Sequence, residues 1–260
     1  MNKTVLVTGA SSGIGCEFAR ILAQHRYDLV LTARTQSKLE AMAQDLRRLH
    51  GVKVTTIACD LSQGDSSQLI YDQVKKQGLT IDILINNAGI GDWGYFIDSN
   101  LQKQEQMLQL NVIALTTLTR LFLPEMVLRR QGKIVNVAST AAFQPGPLMA
   151  AYFATKAYVL SFSSAIGYEL KGSGVTVTCL CPGPTATQFQ EITFPKDLRL
   201  THGRELPTAY EVAEYGYQAM LRGEAVAVYG FFNRWMVFWA RFLPLGLILR
   251  LVHYMQDAKD

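Results

Sequence analysis

Thr8-Gly9-Ala10-Ser11-Ser12-Gly13-Ile14-Gly15 is the stretch on which the reading of this chain turns. The short run Thr4-Val5-Leu6-Val7 leads into it, and a helical pattern from Gly13 to His25 leads out, so three glycines stand where a strand becomes a helix. Backbone without Cβ lets main-chain amides approach a phosphate and lets the helix pack tightly on the strand, while the helix N-terminus favours an anion. The spacing is Gly-x-x-x-Gly-x-Gly, not the Gly-x-Gly-x-x-Gly of the usual dinucleotide fingerprint. Its strand–turn–helix setting points to a nucleotide site; a purely structural glycine turn is the alternative.

Outward from this turn, β-branched runs alternate with helical patterns almost to the end of the 260 residues. Strands are predicted at Lys3–Thr8, Asp28–Ala33, Lys53–Cys59, Ile81–Asn86, Lys133–Ala138, Val175–Cys181 and Ala225–Tyr229. Helices are predicted near Gly13–His25, Gln36–Leu49, Gly64–Lys76, Leu101–Arg130, Ala151–Leu170 and Thr208–Arg222. Several strands are unbroken apolar runs, which suits a parallel sheet covered on both faces. The expected fold is α/β: a single doubly wound domain over residues 1–230, with a seven-stranded parallel sheet, helices on both faces and an apolar C-terminal helical extension over 231–260. The stretch from Pro182 to Pro207 reads as irregular, and a loop that long in a compact domain is usually functional, so about 184–207 is the expected substrate loop.

Composition narrows the class further. With 49% hydrophobic and 18% charged residues the chain is neither disordered nor collagen-like. A net charge of +4 without a polybasic tract argues against a nucleic-acid partner. The apolar run after Lys3 is too short for a signal-peptide core of about 7 to 15 residues. Cys16, Cys59, Cys179 and Cys181 form no Cys-x-x-Cys pair and read as reduced structural thiols, so a cytoplasmic setting is expected. His25, His50, His202 and His253 show no ligand spacing, and no metal is expected.

The end of the second strand lies beside the adenosine ribose in such folds, where a carboxylate would bind the 2′-hydroxyl and repel a 2′-phosphate. Here Ala33 and Arg34 stand in its place, Arg34 nineteen positions after Gly15. A guanidinium matches a phosphate in charge and geometry, so NADPH is expected over NADH. Ser11, Ser12, Thr35 and Ser37 could add hydroxyl donors. An ordinary solvated arginine opening the next helix is the alternative.

Farther along, Tyr152 and Lys156 are four apart in a helical pattern and share a face. A fixed ammonium would lower a phenol pKa from about 10 toward the range of a proton shuttle. Ser139 stands at the carboxyl end of a predicted strand, where open α/β sheets place ligands. Asn111 lies between Leu110 and Val112 within a predicted helix, either as a structural amide or as part of a buried polar relay.

These motifs together resemble the short-chain dehydrogenase/reductase family over nearly the whole chain. In order they are the turn Thr8–Gly15, Asp60-Leu61, Asn86-Asn87-Ala88-Gly89, Asn111, Ser139, Tyr152-x-x-x-Lys156 and Pro182-Gly183-Pro184-Thr185-Ala186-Thr187. The resemblance implies a Rossmann fold that binds NADP(H) through Gly9, Ser11, Ser12, Gly13, Ile14, Gly15, Arg34, Asp60, Leu61, Asn87, Ala88, Tyr152, Lys156, Pro182, Gly183, Thr185 and Thr187. Within that set Asp60 would contact the adenine, and Thr185 and Thr187 the nicotinamide carboxamide. Asn86 and Gly89 are read as structural. The implied catalytic set is Asn111, Ser139, Tyr152 and Lys156: Tyr152 protonates the developing alkoxide, Ser139 orients the carbonyl, Lys156 depresses the Tyr152 pKa and binds the ribose, and Asn111 holds a relay water. Arg34 resembles the NADP-preferring branch, and the general pattern resembles 3-oxoacyl reductases and 17β-hydroxysteroid-type dehydrogenases.

Phe143, Pro145, Gly146, Pro147, Leu148, Met149, Trp93, Tyr95, Phe189, Ile192 and Phe194 are expected around the carbonyl, with no Arg or Lys fork for a small acid. A bulky apolar carbonyl or alcohol of steroid, retinoid or fatty-acyl type follows. The other class in view is a catalytically silent NADP-binding scaffold acting through its tail on a membrane or partner. That tail, Trp235 to Val252, contains Arg241, Pro244, Gly246 and Arg250 in a run too short and too charged to span a bilayer. Two short amphipathic helices joined at Pro244 are predicted. Subunit packing in a homo-oligomer or a substrate lid is the first reading of them, and peripheral membrane contact through residues 234–252 the second.

Overall fold

The computed structural model describes residues 2–195, 198–201, 203 and 205–257; Met1, His202 of the expected substrate loop and the last three residues of the extension lie outside the described residues. Seven strands form one sheet: β1 (Thr4–Thr8), β2 (Asp28–Ala33), β3 (Val54–Ala58), β4 (Ile83–Asn86), β5 (Gly132–Val137), β6 (Val175–Cys181) and β7 (Val226–Val228). All pairings are parallel, in the order β3-β2-β1-β4-β5-β6-β7. The order reverses between β1 and β4, the crevice in which doubly wound sheets bind ligands.

The alternation within β1 shows why the sheet needs cover on both sides. Val5 and Val7 pack with Phe18 and Leu22 of α1 (Gly13–Gln24), Leu39 and Leu46 of α2 (Gln36–His50) and Val212 and Met220 of a later helix, Ala209–Arg222. Leu6 points the other way, toward Ile70 and Val74 of α3 (Ser66–Lys76) and toward Leu118, Phe122 and Met126. Each fully buried large side chain of this kind contributes about 1.5–3 kcal/mol by leaving water. Strand β4 begins at Ile83, later than the apolar run suggests, where the Asp82 carboxylate takes the Thr4 N–H at 2.9 Å.

The expected single helix from Leu101 to Arg130 is broken into three pieces. These are α4 (Leu101–Leu108), a π-helical segment Gln109–Ala114 and α5 (Leu115–Leu128). The composite is long and apolar enough to cross a membrane, but Met107, Asn111, Leu115, Leu118, Phe122 and Met126 are buried in the protein core. It is a core helix. After β5 comes α6 (Ala150–Glu169), which carries Tyr152 and Lys156.

The stretch from Pro182 to Pro207 is less irregular than predicted. It holds α7 (Gln188–Thr193), because the Thr187 hydroxyl accepts the Gln190 N–H at 3.4 Å and opens a helical turn. The helix Ala209–Arg222, α8, starts with a reciprocal capping box between Thr208 and Glu211. Beyond β7 the extension forms α9 (Phe231–Ala240) and α10 (Leu245–Gln256), with Pro244 immediately before α10, as predicted.

Candidate active site

The glycine turn is built by close approach. Gly9 has φ +65° and Gly13 φ +55°, a region that L side chains disfavour. A Cβ on Gly15 would run into the Asn87 amide and the Gly9 carbonyl, and one on Gly13 would sit 3.3 Å from the Thr187 methyl. The turn therefore touches two of the other predicted cofactor residues, one from the end of β4 and one from the loop after β6. Ser12 is the residue before α1, and its side chain makes no capping hydrogen bond, leaving the first amides of the helix open. Thr8 holds the crevice shut from below: its hydroxyl donates to the Ile85 carbonyl and accepts the N–H groups of Asn87 (2.9 Å) and Ala88 (3.0 Å). The Asn87 amide completes the clamp on the Thr8 carbonyl at 3.0 Å.

The remaining predicted contacts follow the carboxyl ends of β2, β3 and β6. Arg34 is exposed directly after β2, and the Ala10 N–H reaches the Thr32 carbonyl at 3.1 Å, so the ends of β1 and β2 lie side by side. Asp60 follows β3 with its carboxylate accepting the N–H and hydroxyl of Ser62. The Leu61 side chain is buried in the core cluster on the Leu6 side of the sheet. The Pro182 carbonyl accepts the Thr140 N–H at 2.8 Å, and the Thr185 hydroxyl donates to the Gly183 carbonyl at 2.9 Å. Gly183 is pressed by the Asn233 side chain of α9, which ties the extension to this loop.

Ser139, Tyr152, Lys156 and Asn111 converge beside it. Ser139 stands two residues after β5, its oxygen accepting the Ala141 N–H at 3.1 Å, and its side chain neighbours Tyr152. The Lys156 Nζ lies 5.7 Å from the Tyr152 ring centre and donates to the Val137 carbonyl at 2.9 Å. Asn111 sits in the π-helical segment, a distortion common at functional sites. Its Oδ1 accepts the Ile90 N–H at 3.0 Å, and its Nδ2 donates to the Ile90 carbonyl (2.9 Å) and to the Thr155 hydroxyl (3.1 Å). Thr155 in turn donates to the Tyr152 carbonyl at 2.7 Å, so Asn111 braces the turn of α6 that carries Tyr152 and Lys156.

Electrostatics here differ from the sequence expectation. Burial pushes the Tyr152 phenol up to about 12, with the neighbouring Ser139 side chain acting against it to a smaller extent. The same burial brings the Lys156 ammonium down to about 8, against a smaller upward pull from Cys179 and Cys181 behind it. The expected depression of the Tyr152 pKa by Lys156 is absent, because exclusion of water dominates both groups. The sulfurs of Cys179 and Cys181 are 3.8 Å apart, and all four cysteines are free thiols, as predicted.

A cavity of about 490 Å³ opens in front of Tyr152, lined by Trp93, Tyr95, Pro147, Leu148, Met149 and His253 among others. Phe189, Phe194 and Val252 pack on Tyr152 and Met149 from the other side. Ile192 is 81% exposed and stands apart from this cluster, contrary to expectation, because it lies on the outer face of α7. The cavity also has a polar edge: Asp92 pairs with Lys103 at 2.5 Å and accepts the Gln104 amide at 2.8 Å.

Residues 3–197 match the family model for short chain dehydrogenases. The chain belongs to the short-chain dehydrogenase family. It is 39% identical over 199 residues to a very-long-chain 3-oxoacyl-CoA reductase of Phaeosphaeria nodorum, a match covering 74% of this chain and 58% of that protein. It is 34% identical to 17-beta-hydroxysteroid dehydrogenase type 3 of Mus musculus over 72% of this chain and 61% of that one. The chain thus spans well under two thirds of these relatives' lengths. A short-chain dehydrogenase from Sphingobium yanoikuyae, solved in complex with NADPH, superposes with a TM-score of 0.80 at 32% identity, covering 99% of both chains.

Several residues of this short-chain dehydrogenase site escaped sequence reasoning. Gly89, read as structural, borders the site: a Cβ there would stand 3.2 Å from Asn111 Oδ1 and 3.5 Å from Lys156 Nζ. Thr8, Ile90, Thr155 and the Val137 carbonyl act through backbone or through partners distant in sequence, and only the position of Gly89 beside Asn87 and Ala88 offered a signal. Asn86 is structural as read, its amide donating to Asn136 and Thr119 in a buried chain between β4, β5 and α5.

Asn111→Leu keeps the volume but removes the partner of the Ile90 N–H and of the Thr155 hydroxyl. Each buried group left unpaired costs roughly 1–3 kcal/mol. A urea melt of the variant should show its midpoint lowered accordingly, and an unchanged midpoint would remove the bracing role.

Proposed function

We propose that this protein is an NADPH-dependent oxidoreductase that interconverts a bulky apolar carbonyl compound and its secondary alcohol. The observation that carries the reading is the gathering of Ser139, Lys156 and the Asn111–Thr155 brace around Tyr152, which itself lines the cavity, next to a glycine turn whose crowding leaves room for backbone alone. The open first amides of α1 and the missing Cβ atoms at Gly9, Gly13 and Gly15 fit a pyrophosphate, and Arg34 beside them fits a 2′-phosphate. Asp60, Asn87, Ala88, Thr185 and Thr187 would hold the remaining length of the dinucleotide. When bound, its nicotinamide supplies the hydride that attacks the carbonyl carbon, or takes it back from the alcohol.

The protein's own groups handle the proton. Burial keeps the Tyr152 phenol protonated across the neutral range, so it enters a reduction as a proton donor to the developing alkoxide. Ser139 has its oxygen fixed by the Ala141 N–H, which leaves its proton to be aimed at Tyr152 or at the substrate oxygen. Lys156 uses one of its N–H bonds on Val137 and has others for the ribose hydroxyls. Asn111 holds the carrier turn in place; a relay water would use the second lone pair of its Oδ1. The apolar walls at Trp93, Pro147, Leu148 and Met149 favour a steroid, retinoid or fatty-acyl substrate. The names of the two relatives, an acyl-CoA reductase and a hydroxysteroid dehydrogenase, support the same class.

A panel of steroid, acyl and small ketones with NADPH tests this. Tyr152→Phe should bind NADPH normally and lose about 10²–10⁴ in kcat; tight cofactor binding by the wild type with no turnover would favour a silent scaffold instead. Arg34→Ala should lose at least about tenfold of the NADPH preference, the value of one charge-assisted contact, and a wild-type preference for NADH would refute its role. The reductive kcat/KM should be level at low pH and fall above about 8 as Lys156 loses its charge, since Tyr152 stays protonated to about 12. In Lys156→Met that fall should vanish; a fall that persists at the same pH assigns it to another group.

A further inference from the structure

The extension is turned inside out. Along α9 and the turn after it the stripe Phe231, Trp235, Phe238, Trp239 and Phe242 recurs at helical spacing, the pattern that ordinarily marks the buried side of a helix. Here that side faces outward: Trp235 is 54% exposed, Phe238 53%, Trp239 48% and Phe242 66%, while Val237 on the opposite side is 7% exposed. The rings touch one another in series, Trp235 against Trp239, Trp239 against Phe238 and both against Phe242, so they form one continuous aromatic surface. Leu245, Leu247 and Leu251 extend it along α10, all more than 40% exposed.

This orientation is fixed by the body of the protein. Arg234 donates to the Val228 carbonyl and the Tyr215 hydroxyl, and Asn233 donates to the Tyr229 carbonyl while lying against Gly183. At the far end of the extension the Trp93 indole donates to the Gln256 carbonyl at 2.8 Å, and the Leu200 N–H reaches the Met255 carbonyl at 3.0 Å. The aromatic side is left outermost by contacts at both ends of the extension.

Charge decides what covers it. Arg241 and Arg250 are exposed on this surface, and among the described residues no carboxylate lies within ion-pair distance of either. From Ala225 to Gln256 the sequence contains no acidic residue. A two-fold contact with a second copy would bury this patch against itself and bring four arginines into one interface, where Asp257, in the same shallow cavity as Arg250, is the nearby carboxylate of the extension among the described residues. A surface of lipid headgroups carrying negative charge supplies the counter-charge, and indole and phenyl rings are at home at its boundary. Neither helix spans it: α9 has 10 residues and α10 has 12, against about 20 for a crossing.

We propose that the outward face of α9 and α10 seats the protein on a bilayer surface bearing anionic lipids. The inward face of α10 keeps Val252 in the cluster around Tyr152 and His253 in the cavity wall. The cavity then sits under the lipid-bound helix, which suits the apolar substrate class; this consequence rests on the proposed activity, whereas the docking itself does not.

The test is sedimentation of the full-length protein with vesicles of phosphatidylcholine alone or mixed in equal parts with phosphatidylglycerol, read without substrate. Roughly tenfold or more protein should partition to the mixed vesicles, and added salt should reduce the difference. The variant Trp235→Ser/Phe238→Ser/Trp239→Ser should lose binding to both kinds of vesicle by at least about tenfold. Arg241→Glu/Arg250→Glu should lose only the preference for the anionic ones, and it keeps the test open if the serine variant melts early. Wild-type protein that stays in the supernatant, or variants that bind as the wild type does, overturn the proposal. A fall in mass of the serine variant by analytical ultracentrifugation, with no vesicle binding by the wild type, makes the face a subunit contact instead. Because no turnover is measured, failure here leaves the reductase reading untouched.

Discussion

Helix α1 approaches the sheet so closely that a methyl group at position 15 would meet the Gly9 carbonyl and the Asn87 amide. That approach sets the rest of the crevice. It puts the N-terminus of α1 at the point where the strand order reverses, and it makes Asn87 the neighbour of the turn. Thr8 then fixes the end of β4 to the end of β1 through one hydroxyl that serves three main-chain groups. Everything that follows β4, including Gly89 and the Ile90 partner of Asn111, inherits its position from this junction. The missing Cβ atoms are therefore a condition of the packing before they are a feature of any phosphate site.

Around Tyr152 and Lys156 the governing factor is exclusion of water, not attraction between the two groups. Tyr152 is buried among Met149 and Phe153 of its own segment, Phe189 from α7 and Val252 from the extension, and Lys156 lies against the ends of β5 and β6 at Val137, Cys179 and Cys181. Low dielectric disfavours the phenolate and the ammonium alike, so the phenol rises while the lysine falls. The proposed proton donor is thus held in its donating form by packing, and the charge on Lys156 is the more easily lost of the two.

Much of this was legible from sequence, for identifiable reasons. Strands covered on both faces are unbroken apolar runs, so Asp28–Ala33 and Val175–Cys181 emerge with their boundaries intact. The tetrad residues were visible because residue type and spacing carry chemical meaning. The π-helical segment was not, since it accompanies a bond from Asn111 to the main chain of Ile90, a partner 21 positions away that leaves no local mark. The sign of the Tyr152 shift escaped for a similar reason: Lys156 is four residues off and easily noticed, whereas Phe189 and Val252, which help to exclude water, are distant in sequence. In the extension the helical period was plain, but periodicity says only that apolar residues share a side. Which side faces the protein depends on Arg234 and Asn233 finding partners on β7 and the turn that follows it.

Helix α10 belongs to two surfaces at once. Its inner residues form part of the wall around Tyr152, and its outer leucines face away from the protein. A rigid helix cannot answer to one side without informing the other. If occupancy of the cavity changes how α10 sits, and contact on the outer face is sensitive to that seating, the two events share a coupling free energy. Linkage then requires reciprocity: the factor by which an external contact alters affinity for the cavity's occupant equals the factor by which that occupant alters affinity for the contact. One short helix would make the place where the protein resides and the molecule it holds mutually dependent.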